Sequence, residues 1–339
     1  MEKINQTQLG KGYLFRASSS DICNYDCAFC HPNEHEPVDI LTNEEFTKIF
    51  EVANSTFKLK TLHFTGGEPL MRKDIANLVA KCRDVAGPEF DIALTSNAAI
   101  MHRHIDDLVK AGLSRTNISL HTLDPIQYKE FTGTNVDVEK VKENILEARE
   151  KGLKVKLNMV AIRNFNNHEI SDSIEYAFNQ DLVLRFLELG LYGPVTKWFS
   201  KDNFIPHQEI LSIVDKDFGP FERDFTYRGN GPTKYYKNEQ GQVFGILDNQ
   251  SDKYCCGCDR FRMTANGIIK VCNFPDIKDL RKIVDSPEEL KHAFIELGDV
   301  LNSRGKNYVG KRFHVCDYDF RWNHPEQSKY INMEGCKTK

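Results

Sequence analysis

Three cysteines near the start of the chain stand in the run Cys23-Asn-Tyr-Asp-Cys27-Ala-Phe-Cys30, spaced C-x3-C-x2-C. Three thiolates on one short loop can ligate three irons of a 4Fe–4S cubane and leave the fourth iron open for a ligand. A structural zinc is the other chemistry such a loop supports, because His31 or His35 could complete a fourth ligand. A second set, Cys255, Cys258 and Cys272, reads as C-x2-C-x13-C, with Cys256 as a spare thiol. It again offers three close ligands. A zinc hairpin or a relay cluster completed by the distant Cys316 is the alternative there. Between the two sets lies Thr65-Gly66-Gly67-Glu68-Pro69, where the glycines allow close backbone approach to a ligand and the carboxylate can accept from an ammonium group.

These residues need a scaffold, and the pattern between them supplies one. Strand-like runs at Tyr13–Ser18, Thr61–Thr65, Phe90–Ser96, Arg115–His121, Val155–Ile162 and Val183–Leu189 alternate with amphipathic helical segments. The helical segments are Asn43–Ala53, Lys73–Val85, His104–Ala111, Val136–Lys151 and His168–Asn179. Thr42 and Glu45 form a capping-box pair ahead of the first, and Gly112 and Gly152 sit where helices stop. Repeated βα units imply an α/β fold with a parallel sheet and right-handed crossovers. Six units are too few for a closed eight-stranded barrel, so an open barrel or a doubly wound sheet is expected. Function then belongs at the C-terminal strand ends, where the first cysteine loop and the Gly-Gly loop both fall. From about Leu211 the alternation fades into a turn-rich stretch, a hairpin at Tyr235–Leu247, the second cysteine set and a helical pattern over Ser286–Ser303. The expected division is residues 1–215 and residues 216–339.

Ten cysteines in 339 residues, seven of them in two tight groups, read as metal or redox ligands before disulfides. The chain is 40% hydrophobic and 28% charged, with a formal net charge of −4, which fits a folded protein and argues against a general nucleic-acid or membrane-surface binder. No apolar run reaches the roughly 18 residues of a membrane span, and the N-terminus lacks a secretory pattern, so a reducing cytoplasm is the expected compartment.

With the Gly-Gly-Glu-Pro loop placed one βα unit after C-x3-C-x2-C, the sequence resembles the radical S-adenosylmethionine (SAM) superfamily. The resemblance implies a partial (β/α)6 TIM-type barrel in which Cys23, Cys27 and Cys30 hold a 4Fe–4S cluster. The amino and carboxylate groups of SAM would chelate its open iron, and reduction would release a 5′-deoxyadenosyl radical. Phe29, Gly66, Gly67 and Glu68 would hold SAM. Ser119 and Asn158 read either as further SAM-facing groups or as ordinary strand-end hydrogen bonding. The cofactor carries the chemistry, so no catalytic side chain is assigned.

The second cysteine set and its continuation resemble the GTP 3′,8-cyclase family of molybdenum-cofactor biosynthesis over essentially the whole chain. The similarity includes Arg16 ahead of the first cysteines, Thr65 through Asp74, Leu94-Thr-Ser-Asn97, Asn117 through Asp124, Val155-Lys-Leu-Asn158, Arg185-Phe-Leu-Glu188 and Cys258 through Gly267. It implies a C-terminal extension with a second 4Fe–4S cluster on Cys255, Cys258 and Cys272, facing the first across one cavity. A purine nucleotide, GTP first, would be held by Arg16, Thr95, Lys156, Arg185, Arg260 and Arg262. A one-electron donor such as flavodoxin or ferredoxin is implied, together with a possible homodimer. The chain departs from the family at Thr61 and His63, where Lys and Arg are usual. Gly190 stands where a SAM-contacting methionine is usual and Lys270 where Arg is usual, and the chain ends Gly335-Cys-Lys-Thr-Lys339 in place of a Gly-Gly tail. A related enzyme acting on another nucleotide, nucleotide sugar or specialised metabolite is therefore the second reading. A non-catalytic zinc or iron–sulfur protein is the third.

Overall fold

The structure is a computed structural model and describes residues 12–27, 30, 39–190, 201–227, 232–248, 259–270 and 276–303. In chain order it begins β1 (Tyr13–Ser20), α1 (Asn43–Thr56), β2 (Leu59–Gly66), α2 (Ile75–Ala86), β3 (Asp91–Ser96), α3 (Ile105–Lys110) and β4 (Arg115–Ser119). There follow α4 (Pro125–Thr132), α5 (Val138–Glu150), β5 (Lys154–Ala161), α6 (Ile170–Asn179), β6 (Val183–Glu188) and α7 (His207–Phe218). The remainder is β7 (Glu222–Asp224), β8 (Lys234–Lys237), β9 (Val243–Leu247), β10 (Arg260–Met263), β11 (Ile268–Lys270), β12 (Asp276–Asp279) and α8 (Pro287–Ser303). The six βα repeats expected from the sequence are present from β1 to β6, so the α/β class holds. The helices α4 and α7 lie outside the sequence reading, although Asp124 caps α4 by accepting from the Ile126 and Gln127 amides at 2.8 and 2.7 Å, with Pro125 in the first turn.

Two compact units divide the chain. One comprises residues 1–119, 129–155 and 259–299, and the other residues 120–128, 156–258 and 300–339. In the first unit the strand order is β12-β11-β10-β1-β2-β3-β4. β1 pairs in parallel with β2, β2 with β3 and β3 with β4, and the late strand β10 pairs in parallel with the other edge of β1. The second unit carries the order β5-β6-β9-β8-β7, with β8 and β9 forming the expected hairpin.

Strands buried on both faces usually read as continuous apolar runs. These do not. In β2, Leu62 and Phe64 alternate with Thr61, His63 and Thr65, and in β1 Phe15 and Ala17 alternate with Arg16 and Ser18. The apolar set turns toward the helices. Phe15 stacks on Phe261 of β10 at 4.8 Å between centroids, Phe46 of α1 meets Phe64 at 5.5 Å, and Phe57 and Phe294 close over Phe261 at 5.3 and 6.2 Å. All of these rings are buried, each contributing about 1.5–3 kcal/mol of transfer free energy. The period of two then fixes the other face: Arg16, His63, Thr95, Asn117, Arg260 and Arg262 fall on the side away from the helices.

Candidate active site

The first cysteine loop leaves β1 at its C-terminal end and is braced at several points. Gly67 N–H donates to the Ser20 carbonyl at 3.0 Å and Glu68 N–H to the Ile22 carbonyl at 2.8 Å, which carries the β1–β2 pairing on to the edge of Cys23. A Cβ added at Gly66 would lie 2.1 Å from the Ser20 oxygen, and one at Gly67 would lie 2.3 Å from the Ile22 oxygen. The two glycines thus make room for the backbone that carries the cysteines, a partner the sequence reading did not name. Further along, Asp26 N–H donates to the Thr132 carbonyl at 2.8 Å. Arg72 is a second brace missed in the sequence: buried, it donates to the carbonyls of Ser19 (3.2 Å) and Leu41 (3.0 Å), to Asn43 Oδ1 (2.8 Å) and to Asp74 (3.0 Å). An internal arginine needs this many partners, because an unsatisfied buried charge costs several kcal/mol.

Within the loop Cys23 and Cys27 are half-buried and Cys30 is exposed. The Tyr25 amide donates to Cys23 Sγ at 3.4 Å, and Asn97 Nδ2 approaches the same sulfur at 4.0 Å. Burial, and then the neighbouring Cys30 and Cys23, push the Cys27 thiol well above the ordinary range. A thiol raised by burial and by two neighbouring thiols becomes a thiolate only beside compensating positive charge, which an iron–sulfur cluster provides. Among the described residues no three His, Cys, Asp or Glu side chains converge to hold a single metal ion. Three free cysteine thiols on one loop are the donor set of a cubane iron–sulfur cluster, each binding one iron.

Glu68 is buried. Its carboxylate accepts from the Leu70 amide (3.0 Å), Ser96 Oγ (2.8 Å) and the Asn97 amide (2.8 Å). A carboxylate has about four acceptor sites, so three internal bonds leave one for a ligand ammonium. Burial raises its pKa to about 7 against these hydrogen bonds, which pull the other way. Ser119 stands at the C-terminal end of β4, half-buried.

On the polar face of the same unit Arg16 donates to Thr65 Oγ1 at 3.4 Å and is flanked in register by Arg262 on β10 and His63 on β2. Arg260 lies two residues below Arg262, opposite Leu14. His63 Nε2 meets Thr95 Oγ1 at 2.7 Å and Asn117 Nδ2 at 3.2 Å. Thr61 donates to Asp91 at 2.7 Å, and Asp91 is held by Arg115 through bonds of 2.9 Å to each of its oxygens. The cations expected from the sequence on this unit thus share one face, and the positions where the family carries Lys and Arg hold Thr61, bonded to Asp91, and His63, bonded to Thr95 and Asn117.

The remaining expected residues lie in the second unit. Asn158 on β5 faces Arg185 on β6, whose Nε and Nη2 donate to Asn158 Oδ1 at 2.9 and 2.6 Å. Lys156 Nζ donates to the Tyr235 hydroxyl at 3.1 Å. Asn158, Arg185 and Lys156 are therefore brought together here. Gly190 follows β6.

Phe29, Cys255, Cys258 and Cys272 lie outside the described residues, as do His31, His35 and the C-terminal tail. Their described neighbours are informative. The Asp259 carbonyl accepts from the Leu14 amide at the N-terminal end of β1, and β11, which ends at Lys270, runs antiparallel to β10.

Residues 18–177 match the model of the Radical SAM superfamily, and residues 182–308 match Molybdenum Cofactor Synthesis C. The chain is 36% identical over 267 residues to the GTP 3',8-cyclase of Desulforamulus reducens, covering 76% of this chain and 80% of that protein. It is 33% identical over 296 residues to the enzyme of the same name from Aquifex aeolicus, covering 84% and 90%. Among solved structures, Streptococcus suis SuiB bound to precursor peptide SuiA shares the fold with a TM-score of 0.66 at 16% identity, over 98% of this chain and 79% of that one. Native anSMEcpe with bound AdoMet gives 0.56 at 14% identity, over 84% and 83%. Among the described residues no helix is long and apolar enough to cross a membrane.

Proposed function

Because this chain belongs to the radical SAM superfamily and, within it, to the GTP 3',8-cyclase family, we propose that it binds GTP and converts it to 3′,8-cyclo-7,8-dihydro-GTP, a lyase-type cyclisation. The observation that carries this reading is the three-thiol loop at the end of β1, locked by Gly66, Gly67 and Glu68, on a unit whose polar face presents Arg16 and Arg262 side by side. The family implies a 4Fe–4S cluster and SAM. When bound, they supply a 5′-deoxyadenosyl radical that takes a hydrogen atom from the substrate.

The chain's own residues do the rest. Cys23, Cys27 and Cys30 hold the first cluster, and Cys255, Cys258 and Cys272, within residues 216–339, hold a second. Phe29, Gly66, Gly67, Glu68, Ser119 and Asn158 receive SAM, the open acceptor site of Glu68 taking its ammonium. Arg16, Thr95, Lys156, Arg185, Arg260 and Arg262 hold the nucleotide, since guanidinium and ammonium groups on phosphate make charge-assisted hydrogen bonds about twice as strong as neutral ones. A flavodoxin or ferredoxin in a reducing cytoplasm supplies electrons. Anaerobic turnover of the cluster-reconstituted chain with SAM, dithionite and GTP should yield 5′-deoxyadenosine and a nucleotide product of unchanged phosphate count. Absence of any GTP-dependent product rejects the reading.

A second reading has its own observation. Thr61 is bonded to Asp91, Asp91 to Arg115, and His63 to Thr95 and Asn117, so this part of the face offers a hydroxyl and an imidazole already engaged within the sheet where the family offers Lys and Arg. A nucleotide with less phosphate charge suits it better. Stimulated SAM cleavage across a panel of mono-, di- and triphosphates of the four common bases separates the two. Preference for GTP favours the first, and preference for another nucleotide the second.

A further inference from the structure

Four residues stand in one register row across the second unit: Asn158 on β5, Arg185 on β6, Gly245 on β9 and Tyr235 on β8. The glycine is the odd member. A Cβ at Gly245 would lie 2.6 Å from Thr233 Cγ2, 3.1 Å from Tyr235 Cε1 and 3.2 Å from Arg185 Cγ, so the missing side chain is the space in which Arg185 and Tyr235 approach one another. One row lower, Lys156 reaches the same phenol oxygen at 3.1 Å. Its ammonium also lies 4.7 Å from the ring centroid of Tyr227 and 4.9 Å from that of Tyr235, the two rings being 4.6 Å apart.

The chemistry of this group is lopsided. Among the described residues no carboxylate pairs with Lys156; its partners are a hydroxyl and two π faces. Arg185 adds a second positive charge beside it, braced from the far side by Asn158. Burial alone would raise the pKa of the Tyr235 phenol, but the charges of Lys156 and Arg185, and their hydrogen bonds to it, draw it below its ordinary value. The Tyr235 hydroxyl accepts from both cations, so their N–H donors are gathered at one point, an arrangement that suits the several oxygens of a phosphate group.

We propose that Tyr235 is a positioning residue that presents Lys156 and Arg185 together to a phosphate group of the substrate, with Gly245 keeping the gap that lets it do so. This rests on the nucleotide reading for the class of substrate, and on the unit's own geometry for the anion site. Tyr227 backs the Lys156 ammonium through its ring face, a contact worth more where water is excluded.

The test uses the full-length, cluster-reconstituted protein and its Tyr235→Phe and Gly245→Ala variants. Binding of inorganic tripolyphosphate, GTP, guanosine and SAM is measured by equilibrium dialysis. Tyr235→Phe should weaken tripolyphosphate and GTP about tenfold, the loss of one hydrogen bond to a charged group, and leave SAM and guanosine within twofold. The KM for nucleotide should rise by the same factor, with the rate of SAM cleavage at saturation within twofold. Gly245→Ala should weaken the anions at least as much. In the wild type, anion affinity should fall as pH rises through the Tyr235 titration, because phenolate cancels one cation; the phenylalanine variant should lack that limb. Equal anion binding by wild type and Tyr235→Phe overturns the proposal. Should the wild type bind tripolyphosphate but not GTP, the anion site stands and the GTP reading falls.

Discussion

Glu68 and His121 show how two buried side chains in the same protein pull stability in opposite directions. Burial raises Glu68 to about 7 from 4.5, so between those values the folded chain holds a proton that the unfolded chain has lost. Its contribution is complete below pH 4.5 and disappears as pH rises toward 7. His121 is buried, accepts from the Val160 amide at 3.1 Å through Nδ1, and is drawn down by burial to about 4 from 6.5. Its contribution is complete above pH 6.5 and is lost as pH falls toward 4. Each term is on the order of 3 kcal/mol, so the wild type should show little slope between pH 4.5 and 6.5. Glu68→Gln removes one term. Urea midpoints of that variant should climb with pH across this window, and a flat profile would contradict the assignment. The cysteines, Glu68 and the glycines of the candidate site stood out in the sequence by residue type and spacing. Arg72, Gly245 and Tyr235 were not, since what makes them matter is a partner in another strand or loop, and one sequence does not state register.

Elements proved readable where the local signal was chemical. The capping box came from two letters: Thr42 Oγ1 accepts from the Glu45 amide at 3.1 Å, and Glu45 returns a bond to the Thr42 amide at 2.7 Å. Thr42→Ala should lower stability by about 1 kcal/mol in chemical denaturation. The short helix α4 carried an equally explicit Asp124-Pro125 start but too little apolar periodicity to be recognised as a helix. β10 was hidden for a different reason. Four residues give no period, and its place beside β1 depends on a pairing that spans most of the chain. Phe261, its buried ring among Phe15, Phe57 and Phe294, carries the packing; Phe261→Ala should cost about 3–5 kcal/mol, read as a fall in Tm.

For the molecule as a whole, the decisive arrangement is a sheet whose helix-side face is apolar and whose other face is polar from the Cys23 end to the Asp259 end. On the proposed function Cys23, Cys27 and Cys30 hold one cluster and Cys255, Cys258 and Cys272 a second. Replacing Cys255, Cys258 and Cys272 together by serine should leave about half the iron and keep SAM binding, while the same change at Cys23, Cys27 and Cys30 should abolish SAM cleavage outright. Iron analysis and electron paramagnetic resonance on both variants read this directly. Wild-type iron no greater than that of the second-set variant would remove the second cluster from the account.

The pairing of β1 with β10 also has a consequence in time. Leu14 meets Arg260 only after roughly 250 further residues have been made, about 12–50 s of synthesis. Until then one edge of the first strand has unpaired amides and carbonyls, and Phe15 and Phe57 lack the ring that will cover them. A nascent chain in that state is a template for sticking to its neighbours on the polysome. The protein's yield is set as much by what shields that edge during translation as by the stability of the finished fold.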